Sequence, residues 1–348
     1  MRKSLLPSAS DLVASALAFA VPCVVIVALM PRYIDYLHSK GRSAPDVFKT
    51  EGTKVATPAG PLLIVALVLG EAAVYLLHES TIPLVVIEVA LVAGVVGLYD
   101  DLRGLGGVVK PALMILAAAP LILEQQVNQS LYTVQLYFPF FGSTGTHFII
   151  FAILIVAAMP VASNAFNMLD SFNGEISSFT LIAALALIAG ILMRGYVTPV
   201  FNWDRLAATL PLAAVSLSFY FYNRFPSKIF DGDSGSLMFG ATYAALAIMG
   251  GVEIAALVAV IPAVLNSYYI IVSVRGFVEH KQMEAGPTYV GDDGKLHASD
   301  QPGAPTTLVR MIVLGSPMGE KELVKSTIAL AAFACALSVI TSAMTWLI

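Results

Sequence analysis

The chain has 348 residues, 58% hydrophobic and only 12% charged, with a mean hydropathy of +0.82. That balance excludes a soluble domain of this size and specifies an all-α polytopic membrane protein. A formal net charge of −4 argues against nucleic-acid binding, and Cys23 and Cys335 both lie in apolar runs, where free thiols are expected rather than a disulfide.

The first apolar run, 9–30, is too long for the core of a signal peptide and has no small-residue cleavage site behind it, so it reads as a retained helix. About ten transmembrane helices follow from the hydropathy, at 9–30, 60–78, 82–99, 111–123, 147–162, 176–194, 206–222, 236–250, 252–273 and 327–347. They form one integral membrane domain over residues 1–348. Alternating the connections between two sides puts 15 of the 19 basic residues on one side. That side is expected to be cytoplasmic, with both termini outside. The last cytoplasmic loop, 274–326, is long and reads as a lid, with a small hairpin around Gly291-Asp292-Asp293-Gly294. On the outside, residues 131–137 alternate weakly, as a hairpin at the membrane surface would.

The unusual polar residues collect on the cytoplasmic side. Asp100-Asp101 close the third span, and Lys110 opens the fourth just before Pro111, a residue suited to a first helical turn. The fifth span runs into Asn164, Asn167, Asp170 and Asn173-Gly174, polar at every third position, so they wind slowly around a helix. Phe230-Asp231-Gly232-Asp233-Ser234-Gly235-Ser236 sits where the chain leaves one apolar run and enters another. Alone, that stretch is an acidic surface turn, and each other residue is a helix end reaching water. Together, with Lys110 and the basic lid, they describe an acidic pocket ready for a hard cation, the arrangement of metal-bridged phosphate chemistry. No Walker loop, Gly-x-Gly-x-x-Gly turn or His-Glu-x-x-His is present, which removes the commoner nucleotide and zinc readings.

These motifs resemble the polyprenyl-phosphate N-acetylhexosamine-1-phosphate transferase family. The similarity is strongest to its archaeal and eukaryotic branch, which takes UDP-N-acetylglucosamine and dolichyl phosphate. The residues that carry it are Asp100-Asp101, Lys110, Asn164 to Gly174 and Phe230 to Ser236. The resemblance implies that Asp233 binds the metal, that Asp100 and Asp101 lie near the lipid phosphate and that Lys110 contacts phosphate. It also implies Asn167 at the metal and pyrophosphate, Asn173 on the uracil side, and Asn164 and Asp170 lining the donor site. His280 and Lys281 fall near the family's sugar-reading Arg-His-Arg segment, although Glu279 and Lys281 replace its arginines. Thr57-Pro58-Ala59-Gly60 also departs from the Pro-Glu common among relatives.

The implied reaction transfers a sugar-1-phosphate from a UDP-sugar to a polyprenyl (dolichyl) phosphate and releases UMP. It would open lipid-linked oligosaccharide (N-glycan) assembly with Mg²⁺ as cofactor, Mn²⁺ being the substitute. The implied setting is the plasma membrane of an archaeon, or the endoplasmic reticulum in a eukaryote, and a homodimer stays open. Two rivals remain. A muramyl-pentapeptide donor is disfavoured because the five histidines are never adjacent. An ion-coupled transporter rests on Glu71 and Glu88, which lie within spans but are expected to pair with neighbouring helices or to sit near a span boundary.

Overall fold

The computed structural model describes residues 7–46, 53–129, 132, 134–197, 203–276 and 285–348. Its helices in chain order are α1 (Ala9–Ser39), α2 (Gly60–His78), α3 (Thr81–Arg103), α4 (Val109–Met114), α5 (Ala119–Val127) and α6 (Phe148–Leu169). There follow α7 (Glu175–Val197), α8 (Trp203–Asn223), α9 (Gly232–Gly250), α10 (Glu253–Ser273), α11 (Leu308–Gly315) and α12 (Glu320–Trp346). Every expected span coincides with helix. Among the described residues, eight helices are long and apolar enough to cross a membrane: α1, α2, α3, α6, α7, α8, α10 and α12.

The other two expected spans take different forms. The fourth is broken into α4, a 3₁₀ turn at Ile115–Ala118 and α5. Pro120 has no N–H for the carbonyl four residues back, so the helix tightens ahead of it. The eighth, α9, is enclosed by protein, with every residue from Ser234 to Gly250 buried. It touches α2, α3, α6, α7, α8 and α10, while α1 packs outside on α2 and α8, and α12 on α7 and α10.

Close approach to this central helix needs small residues, as is usual where hydrophobic driving force between helices is absent. A Cβ on Gly97 of α3 would lie 2.5 Å from Ser234 Cα. Enlarging Gly97 would therefore push α3 off α9, an overpacking error of about 1–3 kcal/mol. The polar atoms of the interior mostly find local partners. Ser163, Ser216 and Ser218 bond back to their own helices, and Tyr243 Oη donates to the Ala256 carbonyl at 3.0 Å. Glu71 is one of several buried side chains with unpaired oxygens: it is wholly buried, and neither carboxylate oxygen has a partner among the described residues. Glu88 is exposed on α3. The expected pairing of these two with neighbouring helices is thus corrected; burial by shape, without a counter-charge, is what α2 provides for Glu71.

Three small hairpins decorate the bundle: β1 (Ser43–Pro45) with β2 (Lys54–Ala56), β3 (Tyr137–Phe138) with β4 (Gly142–Ser143), and β5 (Thr288–Val290) with β6 (Leu296–Ala298). The outer hairpin begins later than its alternation suggested. Pro139 places the turn after Phe138, at residues 139–141, and residues 131 and 133 lie outside the described residues. The lid hairpin is where it was expected. Behind it, Leu296, Val309, Val313, Leu323 and Val324 pack on Phe172 of the α6–α7 turn. Residues 285–326 are thereby seated beside the end of α6.

Candidate active site

The site forms where α3 ends, α4 and α9 begin and α6 ends. Helix α3 runs past the expected boundary to Arg103, so Asp100 and Asp101 belong to its last turn and not to a loop. Helix α9 starts at Gly232, which puts Asp233 in a first turn where backbone N–H groups have no helical partner. Its own flanking residue, Asp231, makes no side-chain cap bond. The cap comes from α3 instead. Asp101 Oδ1 accepts the Asp233 N–H at 2.8 Å, and Asp101 Oδ2 accepts the Ser234 N–H at 3.0 Å and the Ser234 hydroxyl at 2.6 Å. Carboxylate at a helix N-terminus also meets the positive end of the helix dipole. Gly232 takes φ +72° there, and a Cβ on it would stand 2.5 Å from Pro58.

With its backbone held by Asp101, Asp233 presents its carboxylate to two other elements. Asn167 Nδ2, from α6, donates to Asp233 Oδ1 and also to Ser236 Oγ at 2.9 Å. Lys110 Nζ, from α4, lies 3.2 Å from Asp233 Oδ2 and forms a closer ion pair with Asp100 Oδ2. Asp100 Oδ1 accepts the Leu105 N–H, which fixes the turn leading into α4. Two carboxylates thus flank one ammonium, with Asp101 close behind, and the excess negative charge suits an added cation. The Asp233 side chain keeps 30% of its surface exposed against 6% for Asp100, so Asp233 is the carboxylate an incoming ligand reaches.

A second acidic pair lies beside this cluster. Asp170 caps the end of α6 and shares a hydrogen bond with Asp231, which is buried just ahead of α9. Burial, the Asp170 charge and that shared bond push Asp231 well above the usual carboxylate range. Of the pair, Asp231 therefore holds its proton the more readily. Burial pushes Asp170 up to about 6, against the bond from Asp231, with the Asp101 charge adding to the rise.

The structure brings Asp100, Asp101, Lys110, Asn167 and Asp233 together and sets Asp170 alongside through Asp231. Asn164 stays with its own helix, its Nδ2 donating to the Pro160 carbonyl at 2.8 Å. Asn173 lies in the α6–α7 turn, held by Asp46 and Glu320. His280 and Lys281 lie outside the described residues. Sequence reasoning passed over Asn223, at the end of α8. Its side chain accepts from the Gly174 N–H and Ser177 Oγ and donates to the Ile229 carbonyl at 3.2 Å, bracing the α6–α7 turn against the approach to α9. An amide closing an otherwise apolar helix was the available signal.

Residues 83–251, which hold Asp100, Lys110, Asn167 and Asp233, match the family model described as glycosyl transferase family 4. A protein of Saccharolobus solfataricus is 30% identical over 271 residues, 76% of this chain and 78% of that protein. The chain belongs to glycosyl transferase family 4. The Saccharolobus family 4 relative is provisionally named a UDP-N-acetylglucosamine–dolichyl-phosphate N-acetylglucosaminephosphotransferase. A provisionally named glycosyltransferase of Methanocaldococcus jannaschii is 28% identical over 88% of this chain and 89% of its own length. The phospho-N-acetylmuramoyl-pentapeptide-transferase of Lactobacillus acidophilus is 28% identical over 69% of this chain and 76% of its own. The family resemblance drawn from the motifs is borne out, and this family 4 chain is an integral membrane transferase.

Proposed function

We propose that the chain transfers N-acetylglucosamine-1-phosphate from UDP-N-acetylglucosamine to a polyprenyl phosphate, dolichyl phosphate in an archaeal plasma membrane, on the cytoplasmic face. The observation that carries this reading is the convergence of Asp233, Asn167, Lys110 and Asp100 at the buried start of α9. The similarity to the Saccharolobus protein supports the choice of donor and acceptor. The 15-to-4 basic asymmetry supports the cytoplasmic face.

The side chains fit a hard cation that takes most of its ligands from phosphate and water. Among the described residues no three His, Cys, Asp or Glu side chains are arranged to hold a metal ion by themselves. One exposed carboxylate with an amide beside it is the donor set Mg²⁺ uses with a nucleotide, and Mn²⁺ accepts the same oxygens. Asp233 would hold the ion, which supplies charge withdrawal from the donor pyrophosphate.

The chain's own residues position the reactants. Asn167 fixes the Asp233 carboxylate, and Asp101 fixes the backbone that carries it. The Lys110 ammonium, held between Asp100 and Asp233, offers a positive charge where the phosphates of donor and acceptor must meet. A lipid phosphate is largely ionised at neutral pH, so no base is required. One of its oxygens attacks the sugar-bearing β-phosphorus in line, forming the new P–O–P bond. The bond from that phosphorus to the bridging oxygen breaks, and its electron pair leaves with UMP. Catalysis here is alignment and charge stabilisation. Asn173 would face the nucleobase, and the lid seated on Phe172 would close over the donor, with His280 and Lys281 at the sugar.

Membranes containing the protein, given UDP-[¹⁴C]N-acetylglucosamine and polyprenyl phosphate, should yield chloroform-soluble label and equimolar UMP only when Mg²⁺ is present. Label in lipid without UMP, or none with any UDP-sugar, would overturn the reading. The Lactobacillus relative favours a second donor, so UDP-N-acetylmuramoyl-pentapeptide belongs in the same assay. Faster turnover with it would move the function to cell-wall synthesis on the same chemistry.

A further inference from the structure

Asn173 is gripped by carboxylates from two distant parts of the chain. Its backbone N–H donates to Glu320 Oε1 at 3.1 Å, from the first residue of α12. Its side-chain Nδ2 donates to Asp46 Oδ2 at 3.1 Å, from the residue following β1. All three are buried, with 4% exposure for Asn173, 4% for Asp46 and 8% for Glu320. Asp46 is itself anchored, its N–H donating to the Thr53 carbonyl at 3.0 Å across the β1–β2 hairpin.

An asparagine amide is a donor on one side and an acceptor on the other, and turning it over exchanges the two. An ionised carboxylate only accepts. Asp46 therefore admits one orientation, with NH₂ toward itself; the reverse would set two acceptors face to face in a buried place. Both N–H donors of Asn173 that face carboxylates are spent in this grip. The carbonyl Oδ1, turned from Asp46 by the Nδ2 bond, accepts from no described residue.

We propose that Asp46 is a positioning residue that sets which nucleobase the donor carries, by locking the Asn173 amide with its carbonyl oxygen toward the donor. This rests on the donor-side role given to Asn173 above. A carbonyl so held matches a base with a ring N–H between two carbonyls, as in uracil. It opposes cytosine, whose N3 carries a lone pair where uracil has a proton. A site built around a buried hydrogen-bonding group discriminates by leaving that group unpaired against the wrong ligand.

The test compares kcat/KM for UDP-N-acetylglucosamine and CDP-N-acetylglucosamine in the full-length protein, Asp46→Asn, Asp46→Ser and Asp46→Glu. The ratio of two donors in one preparation is independent of the fraction correctly folded. Where a variant turns over too slowly, the ratio is read from UMP and CMP binding instead. The wild type should prefer the uridine donor by about a hundredfold or more. Asp46→Asn and Asp46→Ser should lose at least about tenfold of that preference, mostly in KM, because the amide is free to turn over. Asp46→Glu, which keeps an acceptor-only partner, should restore part of it. An unchanged ratio in Asp46→Asn and Asp46→Ser, or an equal fall with both donors, would overturn the proposal while leaving the transfer reaction standing. A wild type inactive with the uridine donor would instead overturn the function on which it rests.

Discussion

Asp233 gives its backbone N–H to the Asp101 carboxylate at 2.8 Å, so the helix carrying the exposed aspartate is capped by a side chain of another helix. The second of the two adjacent aspartates was expected beside the lipid phosphate. Its three accepted bonds make it a brace for the α9 N-terminus. Removing the carboxylate with Asp101→Ala should cost about 1–2 kcal/mol, as loss of a helix cap does. It should also raise the Mg²⁺ concentration for half-maximal rate, because Asp233 loses its fixed direction. Asp101→Asn keeps an acceptor and should lie between wild type and Asp101→Ala in both. Thermal melting in detergent and rate against Mg²⁺ check this. If Asp101→Asn melts like wild type yet is inactive at every Mg²⁺ concentration, Asp101 acts in the chemistry itself.

Helices and local motifs were legible because apolar runs and Asp-Asp or Gly-Asp-Ser-Gly stretches are properties of adjacent residues. What each polar side chain touches was not, because those partners are far apart in sequence. The Asp101 cap spans 132 residues and the Asn167 bond to Asp233 spans 66. Asn164 and Asn167 are the same residue type three positions apart on α6, yet Asn164 folds back on Pro160 while Asn167 reaches α9. The eighth span was legible as a helix but not as the buried centre, since apolarity alone does not distinguish lipid from protein neighbours. The pairing of Asp231 with Asp170 likewise appears only once α6 and α9 are set side by side.

The Asp170–Asp231 pair gives stability a pH dependence. Asp170 is pushed from its ordinary 3.8 up to about 6 in the folded protein, chiefly by burial. A raised folded value means the native state holds the proton more tightly than the unfolded chain. The contribution is therefore full below about 3.8 and is lost as the pH rises through about 6. The wild type should gain melting temperature from pH 8 to pH 5 by more than Asp170→Asn does. Parallel shifts in the two proteins would show that the pair does not titrate in this window.

The orientation of the bundle can be read by labelling. Lys295, in the lid hairpin, and Ser143, in the opposite hairpin, are both exposed, unlike Ser299, which is buried. Single cysteines there should react with a membrane-impermeant maleimide from opposite sides, Ser143→Cys in intact cells and Lys295→Cys only after lysis. Labelling of both from outside would reverse the assignment of the acidic cluster to the cytoplasmic face.

The closest discrimination is between two carboxylates two residues apart. Asp233 faces Lys110 and Asn167 with 30% of its side chain open, whereas Asp231 is turned into the protein toward Asp170. Asp233→Asn keeps the shape and removes the charge that would hold a cation. Losing one such electrostatic contribution costs on the order of a hundredfold or more in rate. Asp231→Asn keeps the shape and sets a neutral amide donor beside Asp170, so the rate should fall less than about tenfold. Neither change opens a cavity, so both variants should insert and purify like wild type. Transfer rate measured against Mg²⁺ for the three proteins decides the matter. Normal activity in Asp233→Asn together with an inactive Asp231→Asn would move the metal ligand to the buried pair. Normal activity in both would remove the acidic cluster from the reaction altogether.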